Sequence, residues 1–159
     1  MKILLAIDTS TFGNEMVSEL SRRPWPSDSE FRIINVDLPV QDVRRRGELP
    51  TAFDEMVQRQ RAEAIRHLDA AAAIVRKNAP NLIVTTILRE GYPKDEIVKE
   101  AEHWGADLIV VKPRGHGPIR RFFLGSVSAS VAKNAPCSVE IFRARRSRRQ
   151  SFRPQLAGC

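Results

Sequence analysis

The sequence predicts an α/β protein: an open, doubly wound, five-stranded parallel sheet with helices on both faces. Three observations predict it. Five short runs rich in Ile, Leu and Val alternate with segments of helical period, the succession that builds a parallel sheet. The run Leu108–Val111 is apolar at every position, as a strand covered on both faces must be. Pro80, Pro93 and Gly105 fall between the runs, where they punctuate elements. Right-handed crossovers make such a sheet doubly wound.

Each element has a local reason. Residues 2–7 (KILLAI) are apolar after Lys2, lack helical period and stop at Asp8, so they form a buried strand. Asp8, Thr9, Ser10 and Thr11 offer helix caps, and Met16, Val17 and Leu20 share one face of the helix that follows. Residues 22–29 (RRPWPSDS) make a loop, and 31–36 (FRIINV) a second strand. After an irregular stretch to Pro50, a long helix runs from about 51 to 78. Its apolar stripe is Val57, Ala64, Ile65, Leu68, Ala72 and Val75. Residues 82–88 (LIVTTIL) are β-branched and form a third strand. Pro93 opens the next helix, Ile97, Ala101 and Trp104 line its inner face, and Gly105 closes it. The fourth strand follows, then the loop KPRGHGPIRRFFLGS, a short helix with Val127 and Val131 inward, and a last strand at 137–142.

The formal charge of +7 suggests a polyanion surface until it is located. Six Arg and no acid lie in residues 143–159, so residues 1–142 hold 20 basic against 19 acidic groups. Within that body Lys112, Arg114, Arg120 and Arg121 crowd one loop. A uniformly basic nucleic-acid face is not the pattern. The Arg-rich tail, with one aromatic (Phe152) and little apolar content, reads as a solvated disordered terminus. Polyanion binding through it is the alternative. No apolar run approaches the roughly 18 residues of a membrane span, and Asp8 interrupts any secretory pattern, so no membrane is expected and the expected compartment is the cytoplasm. Two cysteines make neither a disulfide framework nor a metal site, and no two of His67, His103 and His116 have metal-ligand spacing.

Open parallel sheets bind ligands at the carboxyl ends of their strands, where the strand order reverses. Those ends carry Asp8, residues 35–37 and residues 112–117, with Gly115 and Gly117 in the last loop and Gly125–Ser126 at a helix start. Glycines that let backbone N–H groups approach, a helix N-terminus and nearby cations suit an anion. Neither a Walker A loop nor a G-x-G-x-x-G turn after the first strand is present, which disfavours P-loop NTPases and ordinary dinucleotide dehydrogenases. No catalytic constellation of nucleophile, base and acid is visible, so strong catalysis is not expected.

Residues 89–143 resemble the universal stress protein family, through REGYPKDEIVKEAEHWGADLIVVKPRGHG and FFLGSVSASVAKNAPCSVEIFR. The family's loop is G-x-x-G, nine residues, then G-[ST]. Gly115, residues 116–124 and Gly125–Ser126 match its latter part, and ILLAIDTS resembles the opening strand with its Asp-x-Ser. The resemblance spans residues 2–143 and implies a Rossmann-like sheet of order 3-2-1-4-5, in one domain (1–143) followed by the tail (144–159). It implies ATP as ligand, with Mg as counter-ion. Asp8 would hold the ribose, backbone at Ala6 and Val36 would frame the adenine, and Gly115, Gly125 and Ser126 would hold the phosphates. The family's first glycine falls at Lys112, which leaves two readings. Its ammonium serves as a phosphate ligand from the rim, or it fills the phosphate site and makes the chain a non-ATP-binding scaffold. The resemblance also implies a homodimer through the last strand, residues 138–142, whose Val139, Ile141 and Phe142 are a liability on an open edge. The resulting expectation is a nucleotide-responsive sensor or switch with an unknown downstream protein partner.

Overall fold

Successive residues of the first strand point into opposite layers, and this sets the architecture of the chain. The structure, a computed structural model, describes residues 1–8, 12–39, 50–112 and 125–143. Its elements are β1 (Lys2–Ala6), α1 (Phe12–Leu20), β2 (Glu30–Asp37), α2 (Pro50–Asn78), β3 (Ile83–Glu90), α3 (Pro93–Trp104), β4 (Leu108–Val111), α4 (Ser126–Asn134) and β5 (Ser138–Ile141). All strand pairings are parallel and the order is β3-β2-β1-β4-β5, the expected doubly wound α/β sheet.

Ile3, Leu5 and Ile7 join Phe31 and Ile33 in one core layer, covered by Met16, Val17 and Leu20 of α1 and by Leu68, Ala72 and Val75 of α2. Leu4, Ile34, Ile109 and Val111 point the other way, against Ile97 and Ala101 of α3 and Val131 of α4. The period of two along each strand thus feeds two apolar layers, which is why β1 and β4 read as continuous apolar runs. Trp25 stacks edge-on to Phe31, with ring centroids 5.6 Å apart.

The chain closes its first strand on its fourth at the outset. The Lys2 N–H donates to Asp107 Oδ2 at 2.7 Å, and the Asp107 N–H donates back to the Lys2 carbonyl at 2.9 Å. α3 ends as expected: Gly105 takes the left-handed conformation (φ 69°, ψ 50°) and its N–H and that of Ala106 satisfy the last carbonyls.

Two expectations about packing need correction. Ile65 was placed on the buried stripe of the long helix, but it is 45% exposed, and Ala71 is buried instead. The stripe drifts because 3.6 residues per turn carries successive heptads around the axis. Trp104 is half-buried rather than buried: it packs against the layer of Ile97 and Ala101, and its ring also carries the Arg32 guanidinium. The third strand lies at the edge, as the expected order 3-2-1-4-5 places it, with Ile83 61% exposed. Thr85 and Thr86 are both exposed there. No helix among the described residues is long and apolar enough to cross a membrane.

One buried ion cluster fastens α3 to the sheet. Glu100 is 3% exposed, and its Oε1 accepts from Arg32 Nη1 at 2.7 Å while its Oε2 accepts from Arg89 Nη2 at 2.7 Å. Arg32 comes from β2 and Arg89 from β3, so one carboxylate bridges two strands and a helix. Burial raises the Glu100 carboxyl, but the hydrogen bonds from Arg89 and Arg32 outweigh it and hold the group below its ordinary range. The Arg32 guanidinium also lies 4.3 Å from the centre of the Trp104 ring.

Candidate functional site

The order β3-β2-β1-β4-β5 reverses between β1 and β4, because β1 leads to β2 on one side and the chain later crosses to β4 on the other. Crossovers that leave in opposite directions open a crevice above their strand ends. The structure has a cleft of about 260 Å³ there. This lies near the lower edge of the roughly 300–1,000 Å³ common for small-molecule sites.

The floor of the cleft is apolar, from Ala6, Val36 and Val111 at the three strand ends and Ile97 of α3. Its polar groups are Asp8 after β1, Asn35 and Asp37 of β2, Lys112 after β4, and Gln60 and Glu63 of α2. The strand ends are tied to one another. The Ile7 N–H donates to the Ile34 carbonyl at 3.0 Å, and the Gly91 N–H to the Asp37 carbonyl at 2.8 Å. Phe142 N–H donates to the Val111 carbonyl at 2.8 Å, so the frame around the cleft is hydrogen-bonded from β3 to the end of β5.

Gly13 completes the cradle. It is buried at the start of α1, and a Cβ placed on it would sit 3.3 Å from the Asp8 carbonyl oxygen and 3.5 Å from Ile7 Cβ. A side chain here presses on the strand end, and glycine avoids that contact. Burial raises the Asp37 carboxyl above its ordinary range; Arg61 opposes the rise and Glu90 adds to it.

The structure therefore brings Ala6, Asp8, Val36 and Lys112 together around one cleft. Gly125 precedes α4, with its carbonyl accepting from the Ala129 N–H and the Ser128 hydroxyl, and Ser126 is exposed at the first turn. These two residues do not line the cleft; α4 reaches it through Val127. Gly115, like the tail 144–159, lies outside the described residues. Sequence reasoning missed Gly13, Gln60 and Glu63. Gln60 and Glu63 are polar positions on a long helix, a pattern that any solvated face shares. Gly13 follows the cap residues by two positions and carried a signal, since glycine weakens a helix unless backbone must approach there.

Among the described residues no group of three or more His, Cys, Asp or Glu could hold a metal ion. Cys137 packs beside the α3–α4 core layer, where burial pushes its thiol up and Asp107 adds to the rise.

Fold and cleft together define an open α/β protein with a ligand-sized crevice at the reversal of its sheet. A model of the Universal stress protein family matches residues 1–143. A universal stress protein of Thermus aquaticus is 31% identical over 144 residues, which is 89% of this chain and 97% of that protein. Other curated relatives match over shorter stretches: 43% of the length of a Methanothermobacter thermautotrophicus universal stress protein and 50% of a Staphylococcus epidermidis one. Among solved structures, hypothetical protein MJ0577 superposes with a TM-score of 0.75 at 22% identity, covering 92% of this chain and 97% of that one. A universal stress protein family member of Arabidopsis thaliana with AMP bound superposes with a TM-score of 0.66 at 20% identity, covering 92% and 93%. The chain belongs to the universal stress protein family.

Proposed function

We propose that the chain binds an adenine nucleotide in this cleft and acts as a homodimeric sensor or switch in a stress response, without strong catalysis. The observation that carries the reading is the convergence of Asp8, Val36 and Lys112 on one crevice at the sheet's reversal point. An AMP-bound structure within the same family supports it. The donor set fits such a ligand. The apolar strand ends suit a base, the Asp8 carboxylate suits ribose hydroxyls, and the Lys112 ammonium suits phosphate.

Titration with AMP and with ATP plus magnesium tests this. With a dissociation constant near 10 μM, 1 mM nucleotide stabilises the fold by about 2.7 kcal/mol, which raises the melting temperature by roughly 5–10 °C. Asp8→Ala is expected to weaken binding at least tenfold. No thermal shift with either nucleotide at millimolar concentration rejects the reading.

Lys112 lines the cleft itself, which also suits a second reading, a scaffold whose phosphate site its side chain fills. Lys112→Gly separates the two. Weaker nucleotide binding assigns the ammonium to the ligand, whereas binding gained only in the variant assigns it to occlusion.

The dimer rests on β5, which closes one edge of the sheet and leaves Val139 and Ile141 only half-buried. Light scattering behind size exclusion is expected to report twice the 18.0 kDa of one chain. A particle of single-chain mass at micromolar concentration overturns the dimer.

A further inference from the structure

A second cavity of about 100 Å³ adjoins the cleft on the side of β2 and β3 and shares Asp37, Leu38 and Gln60 with it. Its other walls are apolar at Val57 and Leu88 and charged at Arg61, Arg89 and Glu90. The two arginines already have carboxylate neighbours. Arg89 Nη2 donates to Glu100 at 2.7 Å, and Arg61 acts on Asp37. The recess therefore offers no surplus of positive charge to an anion.

The main cleft is polarised along the same line. Lys112 and the start of α4 lie at its β4 end, whereas Asp37 and Glu63 lie towards β2 and α2. An anionic ligand is held with its phosphate towards Lys112, so its uncharged end faces the shared wall of the two cavities. In an adenine nucleotide the base carries hydrogen-bond donors only on its exocyclic amine. The acceptors at that wall, Asp37 and the Gln60 carbonyl, turn the amine towards the recess.

We propose that this recess is a specificity subsite that admits a small apolar substituent on the exocyclic amine, so that the chain accepts N6-alkylated adenine nucleotides as well as the parent compound. The inference rests on the nucleotide reading above. Val57 and Leu88 supply the apolar contact, and Gln60, an exposed side chain on α2, stands between the two spaces.

Calorimetric titration of the full chain with AMP and with N6-propyl-AMP tests the subsite. The unmodified chain is expected to bind N6-propyl-AMP within fivefold of AMP, or more tightly. Val57→Trp, which fills the recess without lining the main cleft, is expected to weaken N6-propyl-AMP at least tenfold and AMP less than twofold; retained AMP binding shows that the variant is folded. Val57→Phe repeats the comparison with a smaller change. Binding of N6-propyl-AMP more than fivefold weaker than AMP in the unmodified chain, or an equal loss of both ligands in the variants, overturns the subsite while the nucleotide reading stands. Failure of AMP itself to bind removes both.

Discussion

Glu100→Ala is expected to lower the unfolding free energy by about 3 kcal/mol, the low end of the roughly 3–5 kcal/mol typical when one partner of a buried ion pair is removed. The low end applies because Arg32 and Arg89 keep 25% and 44% of their side chains exposed, so water reclaims part of each guanidinium. In a chain of 159 residues that loss corresponds to a melting temperature roughly 6–12 °C lower. Glu100→Gln keeps the shape and an acceptor oxygen and is expected to cost about half as much. The pH dependence has a definite sign. The Glu100 carboxyl titrates below its ordinary value in the folded state, so its contribution is complete above the unfolded value of about 4.3 and is lost as pH falls through the folded value. The gap between the parent chain and Glu100→Ala therefore starts to narrow below about pH 4 and shrinks further with acid. Chemical denaturation at pH 7 and at pH 3 checks both statements; a gap that persists unchanged at pH 3 contradicts the assignment. Trp104 fluorescence is expected to change as well, because Arg32 loses the contact that holds it over the ring.

Gly13→Phe is expected to abolish nucleotide binding, by at least 100-fold in dissociation constant or about 2.7 kcal/mol, with much of the fold retained. A Cβ at this position already meets the Asp8 carbonyl oxygen at 3.3 Å, and because Gly13 lines the cleft a ring there competes with the ligand for space. Gly13→Ala asks for a shift of a few tenths of an ångström and is expected to weaken binding no more than tenfold. Glu19→Phe, on the same helix but exposed and away from the cleft, is expected to leave affinity within twofold. Calorimetry on the three variants, with circular dichroism as a control for helix content, checks the ordering. Tight binding by Gly13→Phe would place the ligand elsewhere.

The strands were legible because each carries its own pattern. KILLAI and LIVV are apolar in a way that only a doubly covered strand tolerates, and both occupy the centre of the sheet. LIVTTIL marks a strand by its β-branched content, and its two exposed threonines suit the edge place that the order 3-2-1-4-5 gives it. Trp104 packs against the core layer as its spacing implies, yet it stays half-buried. A Trp at the spacing of Ile97 and Ala101 reads as core, and only the arrival of Arg32 from 72 positions earlier makes it a cation platform. In the site, Asp8 and Lys112 were legible as polar residues that end apolar strands. Glu63 and Gln60 were not, because their role comes from how a 29-residue helix crosses the cleft, a tertiary fact with no local mark.

The central position of β1 also sets a timetable for the chain's birth. The first strand made pairs with β2 early, yet its other edge waits for β4, 105 positions further on at the Ile3–Leu108 pair. At synthesis rates of about 5–20 residues per second that wait is roughly 5–20 s. During it the half-sheet β3-β2-β1 can assemble with α1 and α2, while one long apolar edge stays open. The crevice, which needs both β1 and β4, cannot exist before then. Nucleotide offered to a nascent chain would therefore find no cradle until the fourth strand has docked, and ligand capture would report that the two halves of the sheet have met.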